Sequence, residues 1–217
     1  MPIPDITGVM GRLAAKRPFF HSEADSQHAL AWEIHEQWPS CFMRLEFRPV
    51  DSRSHIDIWA TDKHSSVAIE LKYKTRKLRL AIGDEAFELL DQSAQDIGRY
   101  DFLKDIQRLE KITATGRGVV GVAILLTNDS AYWTAPRQTR TVDEAFRINE
   151  GQVLTGLLRW GPKAAKGTTA GREEPLSLKG IYRAEWRDYS EPSTKSYGRF
   201  RYLHIPVSPQ QDRPAGS

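Results

Sequence analysis

Apolar and polar positions recur along this chain with two different periods, and the points where the period changes mark out its elements. Residues 1–20 read as a short helical arm ending at Arg17-Pro18, because a proline pushes the residue before it out of helical geometry. Ser22 stands where a helix cap belongs, with Asp25 three residues on in the capping-box position. Behind it Leu30, Ala31, Ile34 and Trp38 form an apolar stripe at helical spacing, and Pro39 closes the helix. Three strand-like runs follow, Phe42 to Phe47, His55 to Ala60 and Val67 to Lys74, separated by the polar turns DSRS and TDKHSS. Connections this short favour antiparallel neighbours. From about Asp91 to Thr115 the helical period returns, with Phe102, Ile106, Leu109 and Thr113 on one face, and Gly116 and Gly118 end it. The run GVVGVAILLTN is almost continuously apolar, as a strand covered on both faces must be.

The order to this point is helix, three strands, helix, strand. Beyond it the pattern loosens. Strand-like runs at Val153 to Leu158, Ile181 to Trp186 and Phe200 to Val207 surround a Gly- and Lys-containing loop, GPKAAKGTTAGREE. The expected layout is an arm over 1–20, an α/β core over 21–130, a β-rich elaboration packed on it over 131–205, and a disordered tail over 206–217.

Composition narrows the class. A chain of 217 residues, 40% hydrophobic and 27% charged, is long enough to bury a substantial core. Its single cysteine, Cys41, excludes an intramolecular disulfide and any multi-cysteine zinc site, which points to a reducing, cytoplasmic setting. No stretch approaches the roughly 20 apolar residues that span a bilayer, so no membrane partner is expected. A formal net charge of +3 permits a nucleic-acid partner without demanding one.

The candidate chemistry sits on the third strand. Side chains alternate along a strand, so in AIELKYK the apolar Ile69, Leu71 and Tyr73 point one way while Glu70, Lys72 and Lys74 point the other. In the preceding strand Ile56 and Ile58 flank Asp57, which faces opposite to them. If the two strands pair, Asp57 and Glu70 converge, and two carboxylates at one point suit a hard cation such as magnesium. Stepping back from Ile34 and Leu30 at helical spacing reaches Gln27 and then Glu23, which places a third carboxylate at the sheet-facing start of the first long helix. A charge on that face needs a partner.

Glu23, Asp57 and Glu70-Leu71-Lys72, in an αβββαβ order, resemble the PD-(D/E)XK nuclease superfamily over roughly residues 20–128, with Ile56 where that signature has proline. The resemblance implies a restriction-endonuclease-like core, a mixed central sheet flanked by helices. It implies a metal-dependent nuclease acting on DNA, with RNA left open, in genome defence, restriction or DNA repair. Asp57, Glu70, Glu23 and the Leu71 carbonyl would hold Mg2+ (with Mn2+ as a substitute), and Lys72 would position the attacking water. Gln27, Gln95 and Arg99 would serve as supporting or phosphate contacts; in the exonuclease branch a Gln and a Tyr lie near the site on this helix, and Gln92, Gln95 and Tyr100 approximate them with the spacing off by one. Lys74, Arg76, Lys77 and Arg79 would form a phosphate-binding rim, or else a solvated strand end. The alternative is a non-catalytic nuclease-like module that binds nucleic acid or serves as a subunit of a larger complex; as an enzyme, the chain is expected to act as a homodimer or beside a partner protein.

Other patterns carry less. Arg183, Trp186, Arg187, Arg199, Arg201 and Tyr202 read as a hairpin with an aromatic core face and a charged outer face. His28 and His35 lie two turns apart on one helix without the further ligands a zinc site needs.

Overall fold

The structure, a computed structural model, describes residues 5–49, 55–115, 118–138 and 140–209. The elements run α1 (Ile6–Lys16), α2 (Glu23–Gln37), β1 (Phe42–Phe47), β2 (Ile56–Thr61), β3 (Ser66–Lys74), β4 (Leu78–Ile82), β5 (Glu85–Leu89), α3 (Gln95–Thr115), β6 (Val119–Thr127), β7 (Val153–Leu158), the short α4 (Lys166–Thr169), β8 (Leu176–Arg183), β9 (Trp186–Ser190) and β10 (Phe200–Val207). The helix α2 begins as its sequence demands: the Ser22 side chain accepts a hydrogen bond from the Asp25 N–H, 3.1 Å away, and the chain leaves the helix at Trp38. The DSRS turn and Gly116 lie outside the described residues.

Six strands form one mixed sheet in the order β1-β2-β3-β6-β10-β9. The β1-β2-β3 meander is antiparallel, whereas β3 and β6 run parallel in register from Ser66↔Val119 to Lys74↔Thr127, with α3 as the crossover. Each face of the sheet has its own core. On one side α1 and α2 cover Ile58, Ala60, Val67, Ile69, Leu71 and Tyr73. On the other, Leu103, Ile106 and Leu109 of α3 cover Ala68, Ala123 and Leu125. The central strands are therefore apolar on both faces, which makes a polar side chain among them conspicuous.

The later part of the chain differs from the expected elaboration packed on a finished core. β9 and β10 are strands of the central sheet, with β10 pairing to β6 from Arg201↔Thr127 to Val207↔Gly121. Pro206 and Val207 are accordingly strand residues, and only residues 210–217 of the expected tail lie outside the described residues. The run from Ile181 to Trp186 is the end of one strand and the start of the next rather than one element. Trp186 and Tyr202 face the core while Arg199 pairs with Asp188, 2.8 Å away, as an amphipathic hairpin should. The β7-β8 hairpin sits on α3, where the Glu110 carboxylate accepts from the Lys179 and Gly180 amides and the Tyr182 hydroxyl. The β4-β5 hairpin has no counterpart in the sequence reading, because its strands are short and the charged run at its start resembles a loop.

Candidate active site

The site forms where β2 parts from β3. Their pairing runs from Thr61↔Ser66 to Ile58↔Ile69 and stops there, although β3 continues to Lys74. Alternate residues of a strand direct their amides to the same edge, so Leu71 and Tyr73 each present an N–H to the side β2 has left. Two carboxylates take these orphan donors. Asp57 Oδ2 accepts from the Leu71 N–H at 2.6 Å, and Glu23 Oε2 accepts from the Tyr73 N–H at 2.8 Å. Glu23 is the first residue of α2, where the helix dipole favours a negative charge. One turn on, Gln27 Nε2 donates to the Asp57 carbonyl at 2.5 Å and to Glu46 Oε1 at 2.9 Å, tying α2 to the ends of β1 and β2. Glu23, Gln27, Asp57 and Leu71 thus gather at one edge.

Glu70 and Lys72 point to the other face, toward α3. Glu70 is 1% exposed. Neither of its oxygens receives a well-aimed hydrogen bond; its charge partner is Arg108, whose Nη2 lies 2.5 Å from Oε2. The same Nη2 lies 2.7 Å from Asp105 Oδ1, and Lys72 Nζ lies 2.9 Å from Asp105 Oδ2. Asp105 is itself 5% exposed. The result is a chain of four buried or half-buried charges, Glu70–Arg108–Asp105–Lys72.

Asp105, Asp57 and Glu23 act on Lys72, and Asp105 and Asp57 act on Glu70, where Arg108 and Lys72 oppose them. Burial, then the negative charges of Asp105 and Asp57, push the Glu70 carboxyl up to about 9 even with Arg108 and Lys72 pulling it down. Asp105 is raised as well, burial outweighing Lys72 and Arg108. For Lys72 burial opposes the charge, but Asp105, Asp57 and Glu23 outweigh it and hold the ammonium above its usual range. A buried glutamate on a strand whose neighbouring acids are Asp57 and Asp105 offers the oxygen donors that a hard divalent cation takes. In this conformation, among the described residues, no group of three or more His, Cys, Asp and Glu side chains is spaced to hold a metal. The reasons are visible: Asp57 and Glu23 turn toward the β3 amides, and Arg108 stands beside Glu70.

Other expected contacts are spent elsewhere. Gln95 donates to Asp129 Oδ2 at 2.7 Å, and the buried Arg99 pairs with Asp143 and donates to the Ala131 carbonyl, so both anchor the segment after β6. Gln92 and Thr75 exchange bonds, and the Tyr100 hydroxyl donates to the Glu174 carbonyl. Of the expected rim, Arg76 is held by Asp91 at 2.9 Å under the Tyr197 ring, and Arg79 pairs with Glu88. Lys74 shares the β3 face with Glu70 and Lys72, and Lys77 is exposed. Asp105 and Arg108 were not foreseen. Their signal was a charged pair at i,i+3 beside the apolar stripe of Phe102, Ile106 and Leu109, opposite a strand face whose Glu and Lys needed partners.

No family model, no curated protein and no solved structure matches the chain.

Proposed function

We propose that this chain is a metal-dependent nuclease that hydrolyses phosphodiester bonds in DNA. The observation that carries the reading is Glu70: a carboxyl sealed in the α3-facing core with Arg108 as its ion-pair partner, on the strand whose amides hold Asp57 and Glu23. Burying an acid there costs several kcal/mol by typical magnitudes, and Arg108 offsets that only in part, since the carboxyl stays raised beside it.

Asp57, Glu70, Glu23 and the Leu71 carbonyl would hold Mg2+, which supplies positive charge to phosphate oxygens and lowers the pKa of a nearby water. The chain's own groups do the rest. Lys72 keeps its proton, so it donates hydrogen bonds: it orients the attacking water and meets negative charge as it builds on the phosphate, and it does not act as a base. Asp105 holds the ammonium in place. Lys74, next on the same strand face, and the exposed Lys77 lie toward the end of β3 where a DNA backbone would pass.

The test is incubation of plasmid and linear DNA with the protein in MgCl2 or EDTA, beside Asp57→Ala and Lys72→Ala. Metal-dependent cutting should fall about 10²–10³-fold in each variant, the usual loss for one electrostatic stabiliser. Cleavage that survives either change would sink the assignment. A second reading, a nuclease-like module that binds nucleic acid or sits in a larger complex without cutting, is favoured by one observation: Arg108 and Lys72 already meet Glu70 and Asp105 from within the chain. Metal-independent DNA binding without cleavage would select it.

A further inference from the structure

We infer that Arg108 is a built-in placeholder for the cation at Glu70, giving up that carboxylate when a divalent ion arrives and remaining held by Asp105. The inference rests on the nuclease reading and deepens it.

The geometry is specific. One nitrogen, Arg108 Nη2, touches Glu70 Oε2 at 2.5 Å and Asp105 Oδ1 at 2.7 Å. Losing the first contact leaves the second intact, and Asp105 lies one turn back on the same helix, so the arginine stays docked without rearrangement of α3. The two acids are unlike in exposure to the rest of the protein's charge. Asp105 also has Lys72, 2.9 Å from its Oδ2, whereas the ion pair Glu70 makes among the described residues is with Arg108. Glu70 is therefore the carboxylate with most to gain from a stronger positive charge, and Arg108 is the cation with an alternative partner. The Arg108 side chain is 28% exposed, against none of the Glu70 side chain, so the exchange moves the group that already reaches solvent. Without a placeholder, ionising Glu70 in the metal-free fold would leave a buried negative charge uncompensated. Arg108 is thus a positioning residue: it keeps the site formed while no metal is present, and competes with the metal for the same oxygen.

The experiment titrates the full-length chain with Mn2+, following free Mn2+ by electron paramagnetic resonance, for wild type, Arg108→Gln, Arg108→Lys and Asp57→Ala. Removing the competitor should tighten Mn2+ binding by about tenfold or more in Arg108→Gln. Arg108→Lys, which keeps the charge, should bind like wild type. Thermal melting in EDTA and in Mn2+ accompanies the titration: Arg108→Gln should melt lower than wild type in EDTA and recover more of the difference in Mn2+. Equal or weaker Mn2+ binding by folded Arg108→Gln overturns the placeholder and leaves the metal site standing. Mn2+ binding by neither wild type nor Arg108→Gln, or binding unaffected by Asp57→Ala, overturns the metal site itself and the placeholder with it.

Discussion

Glu70 is held in a state that depends on pH. Its carboxyl keeps a proton in the fold up to about 9, whereas the ordinary value for a glutamate is 4.5. Between those values the folded chain binds more protons than the unfolded one, so this residue makes stability fall as pH rises across that window. Glu70→Gln removes the titration and keeps the shape. In EDTA, melting temperatures of wild type should drop from pH 5 to pH 9 more steeply than those of Glu70→Gln, and the variant should be the more stable of the two at pH 8. Circular dichroism melts at several pH values read this directly; parallel slopes would falsify the burial argument. Added divalent cation should reverse the trend for wild type alone, since it favours the ionised form.

At the scale of elements, the strongest local signals held. The run Phe42–Phe47, the cap at Ser22 and the strand Phe200–Val207 were legible because each carries its pattern in a short stretch of chain. What failed was short or ambiguous: the β4-β5 hairpin buries Phe87 and Leu89 in the core, Phe87 against Phe19 and His21 between α1 and α2, a reward that a charged run does not advertise. The face of α3 is set by its neighbours as well. A Cβ at Gly98 would run into the hydroxyl of buried Tyr132. Alanine gains about 1 kcal/mol in a helix interior over glycine, yet overpacking of this kind costs about 1–3 kcal/mol. Gly98→Ala should therefore be neutral to destabilising by up to about 2 kcal/mol in urea unfolding, against the direction that helix propensity alone predicts. A variant clearly more stable than wild type would show that Tyr132 yields easily.

For the whole molecule, the boundary near residue 130 suggested by the pattern of the chain is not a boundary of the core. β10 supplies Phe200 and Tyr202 to the core under α1 and α2, and Leu203, Ile205 and Val207 to the core under α3. Removing it opens both layers and bares the long β6 edge, an invitation to aggregate. A chain ending at Ser130 should fail to fold, giving no cooperative melt and an insoluble or aggregated product in size-exclusion chromatography, whereas a chain ending at Pro209 should melt like the full length. Among the described residues no helix is long and apolar enough to cross a membrane.

By itself the sequence determined which residues are helix and strand where the apolar period was long, and which side of β3 carries Glu70 and Lys72, because alternation along a strand is a local property. It also placed Asp57 and Glu23 next to β3, through the short connections and the capped start of α2. Only the tertiary structure decided the rest. The end of β2–β3 pairing at Ile58↔Ile69 turns Asp57 and Glu23 onto the β3 amides, and the parallel crossover lays α3 over β3, so that Asp105 and Arg108 meet Lys72 and Glu70. Those partners lie more than thirty residues away along the chain, and the energy that selects them, the cost of leaving charge buried alone, exists only once the sheet and helix have closed over it.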